Sequence, residues 1–111
     1  MENVLITGGA GFVGYHLANI LLESNYKIDL LDNFSRGVND TQLAALSENE
    51  RINLISTDLL QSSAIDQCHK DYSYIYHLAA IIGVQHVLKS PFAVLEKNFI
   101  LLQNALNIAR K

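Results

Sequence analysis

The sequence is poor in the residues that mark several classes of protein. Among its 111 residues there is one cysteine, one proline and no tryptophan. A single cysteine excludes an intramolecular disulfide framework and fits a reducing compartment. Eight basic residues against eleven acidic ones give a formal net charge of −3. This balance argues against a nucleic-acid binder held by a basic stripe.

Long apolar runs and targeting signals are also missing. No apolar run is long enough for a membrane-spanning helix, and the start Met1-Glu2-Asn3 lacks the basic and apolar regions of a signal peptide. Hydrophobic residues nevertheless make up 50% of the chain, which is too many for a disordered protein. These features predict a small soluble cytoplasmic domain, either complete or part of a larger one.

Short runs of β-favouring residues alternate along the chain with segments of helical periodicity. This alternation predicts βαβ units, a parallel sheet and right-handed crossovers. The expected fold is α/β, a Rossmann-like doubly wound parallel sheet that is incomplete, with about four strands in the order 3-2-1-4 and flanking helices. The strands are predicted at 4–6, 27–31, 52–55 and 74–78, and the helices at 12–23, 41–46, 62–69 and from 91 onward.

The last helix has the clearest pattern. Ser90 is a candidate cap and Pro91 occupies the first turn, while Ser62 or Ser63 is a candidate cap for the preceding helix. Apolar residues cover more than half of the last helix, more than a helix lying on one sheet requires. The pattern therefore predicts two contacts, one with the sheet and one with a missing helix or a second subunit. One side carries Leu95, Phe99, Leu102, Leu106 and Ala109, and Val94, Leu101, Ala105 and Ile108 extend the apolar arc.

A glycine-rich turn joins the first strand to the first helix. Gly8, Gly11 and Gly14 have the spacing G-x-x-G-x-x-G. In this spacing the first glycine permits a sharp turn, the second lets a pyrophosphate approach the backbone, and the third lets the helix pack close to the sheet. The helix N-terminus then offers N–H groups and partial positive charge to phosphates. A tight turn without a ligand is the alternative interpretation.

Carboxylates follow the second and third predicted strands. Asp32 lies 18 residues after Gly14, where a carboxylate can accept both hydroxyls of an adenosine ribose. Asp58 is placed to accept a hydrogen bond from the adenine amino group. The alternatives are a turn carboxylate at Asp32 and a turn or helix cap at Asp58.

Further motifs follow these glycines and carboxylates in a fixed order. They are Thr7-Gly8-Gly9-Ala10-Gly11-Phe12-Val13-Gly14, Asp32-Asn33-Phe34-Ser35-Arg36-Gly37, Thr57-Asp58-Leu59, His77-Leu78-Ala79-Ala80, and Pro91 with Asn98. In this order and spacing the chain resembles the extended short-chain dehydrogenase/reductases. Within them it is similar to the sugar-nucleotide epimerase/dehydratase group, which includes UDP-glucose 4-epimerases, UDP-glucuronate decarboxylases and dTDP-sugar dehydratases.

The resemblance implies an NAD cofactor and a set of residues that bind it. Asn98 lies in the apolar arc of the last helix, where an unpaired amide is costly. In the family, the asparagine at this position reaches the strand–loop segments beside the cofactor. The alternative interpretation is a buried structural hydrogen bond, and the two interpretations are compatible. In the implied set, Gly8, Gly11 and Gly14 form the cofactor-binding turn, and Phe12 and Val13 contact the pyrophosphate through their backbone amides. Asp32 holds the ribose, and the residues around adenine are Asn33, Phe34, Ser35, Arg36, Gly37, Asp58 and Leu59. Leu78, Ala79 and Ala80 lie under the middle of the cofactor, Ile82 lies near the nicotinamide, and Asn98 completes the set.

The charge at the ribose position favours NAD over NADP. Arg36 could reach a 2′-phosphate, but Asp32 would repel it. Outside the family motifs, His16, His69 and His86 have no partners at metal-ligand spacing, so no metal site is predicted.

Two residues with reactive side chains are expected to be structural. His77 lies inside a strand, which is typical of a packed core histidine. Cys68 has no neighbouring base and is expected to be inert.

The family's catalytic residues have no counterpart in the sequence. Catalysis in this family needs a Tyr-x-x-x-Lys pair, in which the tyrosine takes a sugar hydroxyl proton and the lysine lowers its pKa. No such pair occurs, so no catalytic residue is assigned. Residues 1–111 are expected to be the N-terminal part of an NAD-binding Rossmann domain, inactive alone, without the catalytic and substrate-binding parts.

The expected partners follow from this interpretation. The intact enzyme would bind a nucleotide-sugar substrate, but neither nucleic acid nor membrane, and the helix around 91–110 resembles the family's dimer helix, which suggests a homodimer. Two other hypotheses stay open. One is a stand-alone NAD-sensing or protein-interaction module without catalysis, and the other is a remnant that no longer holds cofactor.

Overall fold

The computed structural model describes residues 1–34, 41–81 and 88–110, and strands alternate with helices along them. The strands are β1 (Asn3–Thr7), β2 (Lys27–Asp32), β3 (Ile52–Ser56) and β4 (Tyr72–His77). The helices are α1 (Phe12–Leu22), α2 (Thr41–Ser47), α3 (Ala64–Gln67) and α4 (Pro91–Ala109).

The four strands form one parallel sheet in the order β3-β2-β1-β4, which confirms the predicted fold class and order. The centre of the sheet is β1, in which Thr7 pairs with Leu31 on one side and with His77 on the other. The chain therefore leaves β1 between two strands that run in the same direction. At such a point the loops on either side diverge and leave a crevice.

Helices cover both faces of the sheet because apolar residues of the central strands alternate between two cores. Val4 and Ile6 pack in one core with Ala18 of α1 and Leu43 of α2. The strand residues between them, such as Leu5, point to the opposite face and pack in the other core. That second core contains Leu5, Leu31, Ile55, Leu59, Ala64, Cys68, Leu101 and Ile108.

The apolar arc of α4 is divided between the core and the surface. Leu101, Ala105 and Ile108 are buried, so the residues that extend the predicted arc are the ones that face the sheet. Its other side is exposed and consists of Leu95, Phe99, Leu102 and Leu106. Within the described residues, no helix is both long and apolar enough to cross a membrane.

Ser63 and Ser90 occupy N-cap positions as predicted, but neither caps with its side chain, and one predicted helix is shorter than expected. The predicted helix at 62–69 contracts to α3, because Ala64, Ile65 and Asp66 donate their N–H groups three residues back and form tight turns. Ser63 makes no capping hydrogen bond with its side chain. Ser90 also caps without its side chain, since its carbonyl accepts the Val94 N–H.

A buried carboxylate ties three strands together at the end of the sheet that lies away from the glycine turn. Asp29 is 2% exposed. It accepts hydrogen bonds from the Tyr72 hydroxyl at 2.5 Å, the Lys70 ammonium at 2.9 Å and the Asn53 amide at 3.3 Å. Burial, and then the hydrogen bond to Asp29, raise the pKa of Tyr72 far above its usual range, so its hydroxyl stays a donor. Tyr72 also pairs with Asn3 of β1, so β4 begins two residues before the predicted start.

Candidate functional site

A cavity of about 520 Å³ lies at the carboxyl ends of the strands, beside the glycine turn. Its walls come from segments far apart in the sequence, namely the turn, the ends of β2 and β3, the segment after β4 and one residue of α4. The lining residues are Gly8, Gly11, Phe12, Val13, Gly14, Leu31, Asp32, Asn33, Thr57, Asp58, Leu59, Leu60, Leu78, Ala79, Ala80, Ile81 and Leu101.

The glycine turn brings backbone segments closer than side chains would allow. Gly8 has a φ of +69°, and a Cβ there would lie 2.8 Å from the Ala79 nitrogen, so this position requires glycine. A Cβ at Gly14 would lie 2.8 Å from the Cα of Gly9. The third glycine of the motif therefore lets α1 pack closely against the glycine turn. The spacing had predicted that it lets the helix pack closely against the sheet.

The first turn of α1 presents its backbone to the cavity. Gly11 precedes the helix and makes no side-chain capping hydrogen bond, and no acidic residue lies in the first turn. The side chains of Phe12 and Val13 are 80% and 61% exposed, and both residues line the cavity. A helix N-terminus with N–H groups and a partial positive charge in a cavity is suited to a phosphate group.

The carboxylate of Asp32 holds the glycine turn against the end of β2. One oxygen accepts the Ala10 N–H at 3.0 Å, and the other accepts the Phe34 N–H at 2.9 Å. A carboxylate has about four acceptor positions, so two backbone bonds leave capacity for ligand hydroxyls. Asp32 and the adjacent Asn33 both line the cavity.

One residue predicted around adenine is not brought to the cavity. Phe34, at a φ of +62°, packs against the core beneath α1 and α2 and is not among the lining residues. The reason is its N–H bond to Asp32, which turns the chain back over the core. Ser35, Arg36, Gly37 and Ile82 lie outside the described residues.

The turn after β3 forms the wall beside Asp32. The carboxylate of Asp58 accepts the Leu60 N–H at 2.9 Å, which is the turn geometry foreseen as the alternative for this residue. Asp58 also lines the cavity. The carbonyl of Leu59 accepts a hydrogen bond of 2.6 Å from the amide of Asn104.

The opposite wall follows β4 and is held by Thr7. The Thr7 hydroxyl lies 2.7 Å from Nδ1 of His77 and accepts the Ala79 N–H at 3.2 Å. Burial lowers the pKa of His77, so the neutral ring is favoured. His77 is half-buried and hydrogen-bonded at the sheet end.

Asn98 holds the far end of the same wall. Its side-chain oxygen accepts the Ile81 N–H at 2.6 Å, and its amide donates to the Ile81 carbonyl at 3.1 Å. Both backbone groups of Ile81 are thus paired by one side chain. The structural hydrogen bond expected of Asn98 is therefore present, next to residues that line the cavity.

Thr7 and Asn104 support the walls of the cavity but were not predicted as site residues. The signal for Thr7 was a hydroxyl at the end of the apolar central strand, directly before the first glycine. The signal for Asn104 was the same as for Asn98, an amide among apolar residues of the last helix. In the described ranges, no group of three or more His, Cys, Asp or Glu side chains is placed to hold a metal ion.

Known proteins with similar sequences and folds belong to a family whose name indicates NAD dependence, which agrees with the cavity described above. The sequence model of the NAD dependent epimerase/dehydratase family matches residues 4–111. The chain belongs to this family. The resemblance found in the motifs is thereby confirmed.

Members of the epimerase/dehydratase family resemble this chain along nearly all of its length. UDP-N-acetyl-alpha-D-glucosaminuronate decarboxylase of Bacillus cytotoxicus is 34% identical over 110 residues, with 99% of this chain and 33% of the relative covered. A putative UDP-glucose 4-epimerase of Methanocaldococcus jannaschii is 30% identical over 109 residues, with 97% and 34% covered. The chain therefore spans about a third of the length of these relatives.

A solved family structure has the same fold. The UDP-glucose 4-epimerase of Brucella ovis, in complex with NAD, superposes with a TM-score of 0.79 at 27% identity, covering 99% of this chain and 32% of that one. The neighbour thus holds NAD on a fold that this chain shares.

Proposed function

We propose that this chain is the NAD-binding part of a sugar-nucleotide epimerase/dehydratase. The observation that carries the proposal is the position of the Asp32 carboxylate, which is bonded to the glycine turn and lies in the same cavity as the start of α1. A ribose acceptor and a phosphate-binding helix end are thus adjacent, as a dinucleotide requires.

The residues of the cavity fit the parts of NAD one by one. The N–H groups around Phe12 and Val13 suit the pyrophosphate, and Asp32 retains acceptor capacity for the ribose hydroxyls. Asp58 and the backbone around it suit adenine. The nicotinamide half would extend along Leu78, Ala79 and Ala80, where small residues leave room. When bound, NAD would supply the acceptor for a hydride from a sugar.

Charge supports NAD over NADP as the ligand. The carboxylate of Asp32 would face a 2′-phosphate at the ribose and repel it. The helix N-terminus attracts the pyrophosphate of NAD and of NADP alike. The repulsion at Asp32 would therefore account for the difference in affinity between them.

The remaining parts of the proposal concern the intact protein. Residues 1–111 would form the N-terminal part of its Rossmann domain, and a nucleotide-sugar would be its substrate, with catalysis dependent on residues that this chain lacks. The cytoplasm is the proposed location, which the single, buried Cys68 supports.

The exposed side of α4, formed by Leu95, Phe99, Leu102 and Leu106, supports a homodimer through this helix. Apolar side chains aligned on one side of a helix favour contact with another surface. Light scattering that shows a monomer at high concentration would contradict the dimer.

Calorimetric titration of the purified chain with NAD and with NADP tests the cofactor. We expect saturable NAD binding and weaker NADP binding. In Asp32→Asn the ratio of NADP to NAD affinity should rise, since the repelling charge is gone. Asp71→Asn removes the same charge from an exposed site and should leave the ratio as in the wild type. A folded sample that does not bind NAD would contradict the proposal.

A further inference from the structure

Helix α4 carries two asparagines, Asn98 and Asn104, whose side-chain amides each hold a different wall of the cavity. Asn98 pairs with Ile81 on the β4 side, and Asn104 pairs with Leu59 on the β3 side. Leu101 lies midway between them in the sequence and lines the cavity itself. Residues three apart lie on neighbouring positions of one helix face, so a single helix spans the site.

Asn104 joins the middle of the turn after β3 to α4, through the carbonyl of Leu59. Within this turn the Leu60 N–H donates to the Asp58 carboxylate. At its start, the Thr57 N–H donates to the backbone carbonyl of Asp32 at 3.0 Å, and the Thr57 hydroxyl accepts a hydrogen bond from the Gln67 amide of α3 at 3.0 Å. Asn104 is 8% exposed and donates to the Leu59 carbonyl at 2.6 Å. A buried carbonyl that loses its donor carries a desolvation penalty, so the turn would shift to regain a partner.

We propose that Asn104 is a positioning residue for the adenosine side of the cavity, through the turn that contains Leu59. This inference rests on the proposed NAD-binding function. The adenosine side is the side of the cavity that contains Asp32, which lies at the end of β2, next to β3 and the turn that follows it. Asn98 in turn positions the segment after β4 that contains Ile81, on the opposite wall of the cavity.

The two asparagines can be separated by ligands of different length. AMP occupies only the adenosine side, whereas NAD occupies both sides. Asn104→Leu, which keeps the size of the side chain but removes the donor, should raise the Kd of AMP and of NAD by the same factor, about 3- to 10-fold. Asn98→Leu should raise the Kd of NAD and leave that of AMP unchanged. Gln103→Leu makes the same change at an exposed position of α4 and should affect neither ligand.

The outcomes distinguish this inference from the proposed function. Wild-type protein that binds neither ligand would contradict both. Wild-type protein that binds both ligands, with an AMP Kd unchanged in folded Asn104→Leu, would overturn only the role of Asn104. If that variant does not fold, Asn104→Gln keeps the amide but displaces it by one methylene. It should also raise the AMP Kd, and an unchanged value would again overturn the inference.

Discussion

The carboxylate of Asp32 accepts a hydrogen bond from the backbone N–H of Ala10 at a distance of 3.0 Å. The residue proposed to hold the ribose therefore also holds the glycine turn in place. Its second oxygen fixes Phe34 in the same way. Substitution of Asp32 should thus affect the protein even without a ligand.

Asp32→Ala should lower the free energy of unfolding by about 1.5–3 kcal/mol in the absence of NAD, because hydrogen bonds to a charged group are lost. Asp71→Ala, at an exposed site, should change it by less than about 0.5 kcal/mol. Urea unfolding measures both. Equal stability of wild type and Asp32→Ala would show that the carboxylate does not support the turn.

Two glycines of the turn should differ in what their substitution affects. Gly8→Ala places a side chain at positive φ and against the Ala79 backbone, and should destabilise the protein by at least about 1–2 kcal/mol. At Gly11 the nearest atom to a new Cβ is the Gly8 oxygen at 3.4 Å. Gly11→Ala should therefore fold with near-normal stability but bind NAD less tightly. Thermal unfolding and NAD titration of both variants check this, and a marked loss of stability in Gly11→Ala would contradict it.

The buried carboxylate of Asp29 makes the hydroxyl of Tyr72 important for stability. Tyr72→Phe should destabilise the protein by about 1.5–3 kcal/mol, because it removes a hydrogen bond to a charged, buried group. Tyr74→Phe is the matched control on the same strand, since Tyr74 is half exposed, and should be nearly neutral. Equal unfolding midpoints for the two variants would argue against a role of the Asp29 cluster in holding β4.

The stability of the protein should depend on the protonation of His77. Burial lowers its pKa in the folded state below the ordinary value of 6.5. As the pH falls, the unfolded chain therefore takes up a proton at His77 before the folded protein does. The contribution of the neutral ring to the free energy of unfolding is complete above pH 6.5 and is lost as the pH falls from there through the folded pKa. His77→Asn keeps a side chain that can hydrogen-bond with the Thr7 hydroxyl but does not titrate. Unfolding free energies measured from about pH 7.5 to about pH 5 should fall less steeply in this variant, and parallel profiles would contradict the prediction.

Hydrophobic periodicity and the residues that bound each segment were sufficient to predict four strands in a parallel sheet, whereas the order 3-2-1-4 was expected from the Rossmann-like fold. The runs around Val4, Ile28 and Ile52 are short, β-favouring and bounded by glycine or polar residues, and each became a strand at nearly the predicted limits. Parallel pairing follows from alternation with helices, because each crossover needs one.

What the sequence could not predict depends on contacts between distant residues. Phe34 was expected beside adenine, but a backbone bond to Asp32 turns it toward the core. Thr7 and Asn104 act on Ala79 and Leu59, which are far away in the sequence. No local pattern specifies such partners, since they are defined only when the strands assemble.

The central position of β1 has a consequence for synthesis of the protein. Residue 3 pairs with residue 27 on one side and with residue 72 on the other, so β1 is completed only by a strand that is translated much later. Closing such long loops is slow because chain entropy is lost before contacts form. The apolar Val4-Leu5-Ile6 run must therefore remain without one neighbour until β4 has left the ribosome.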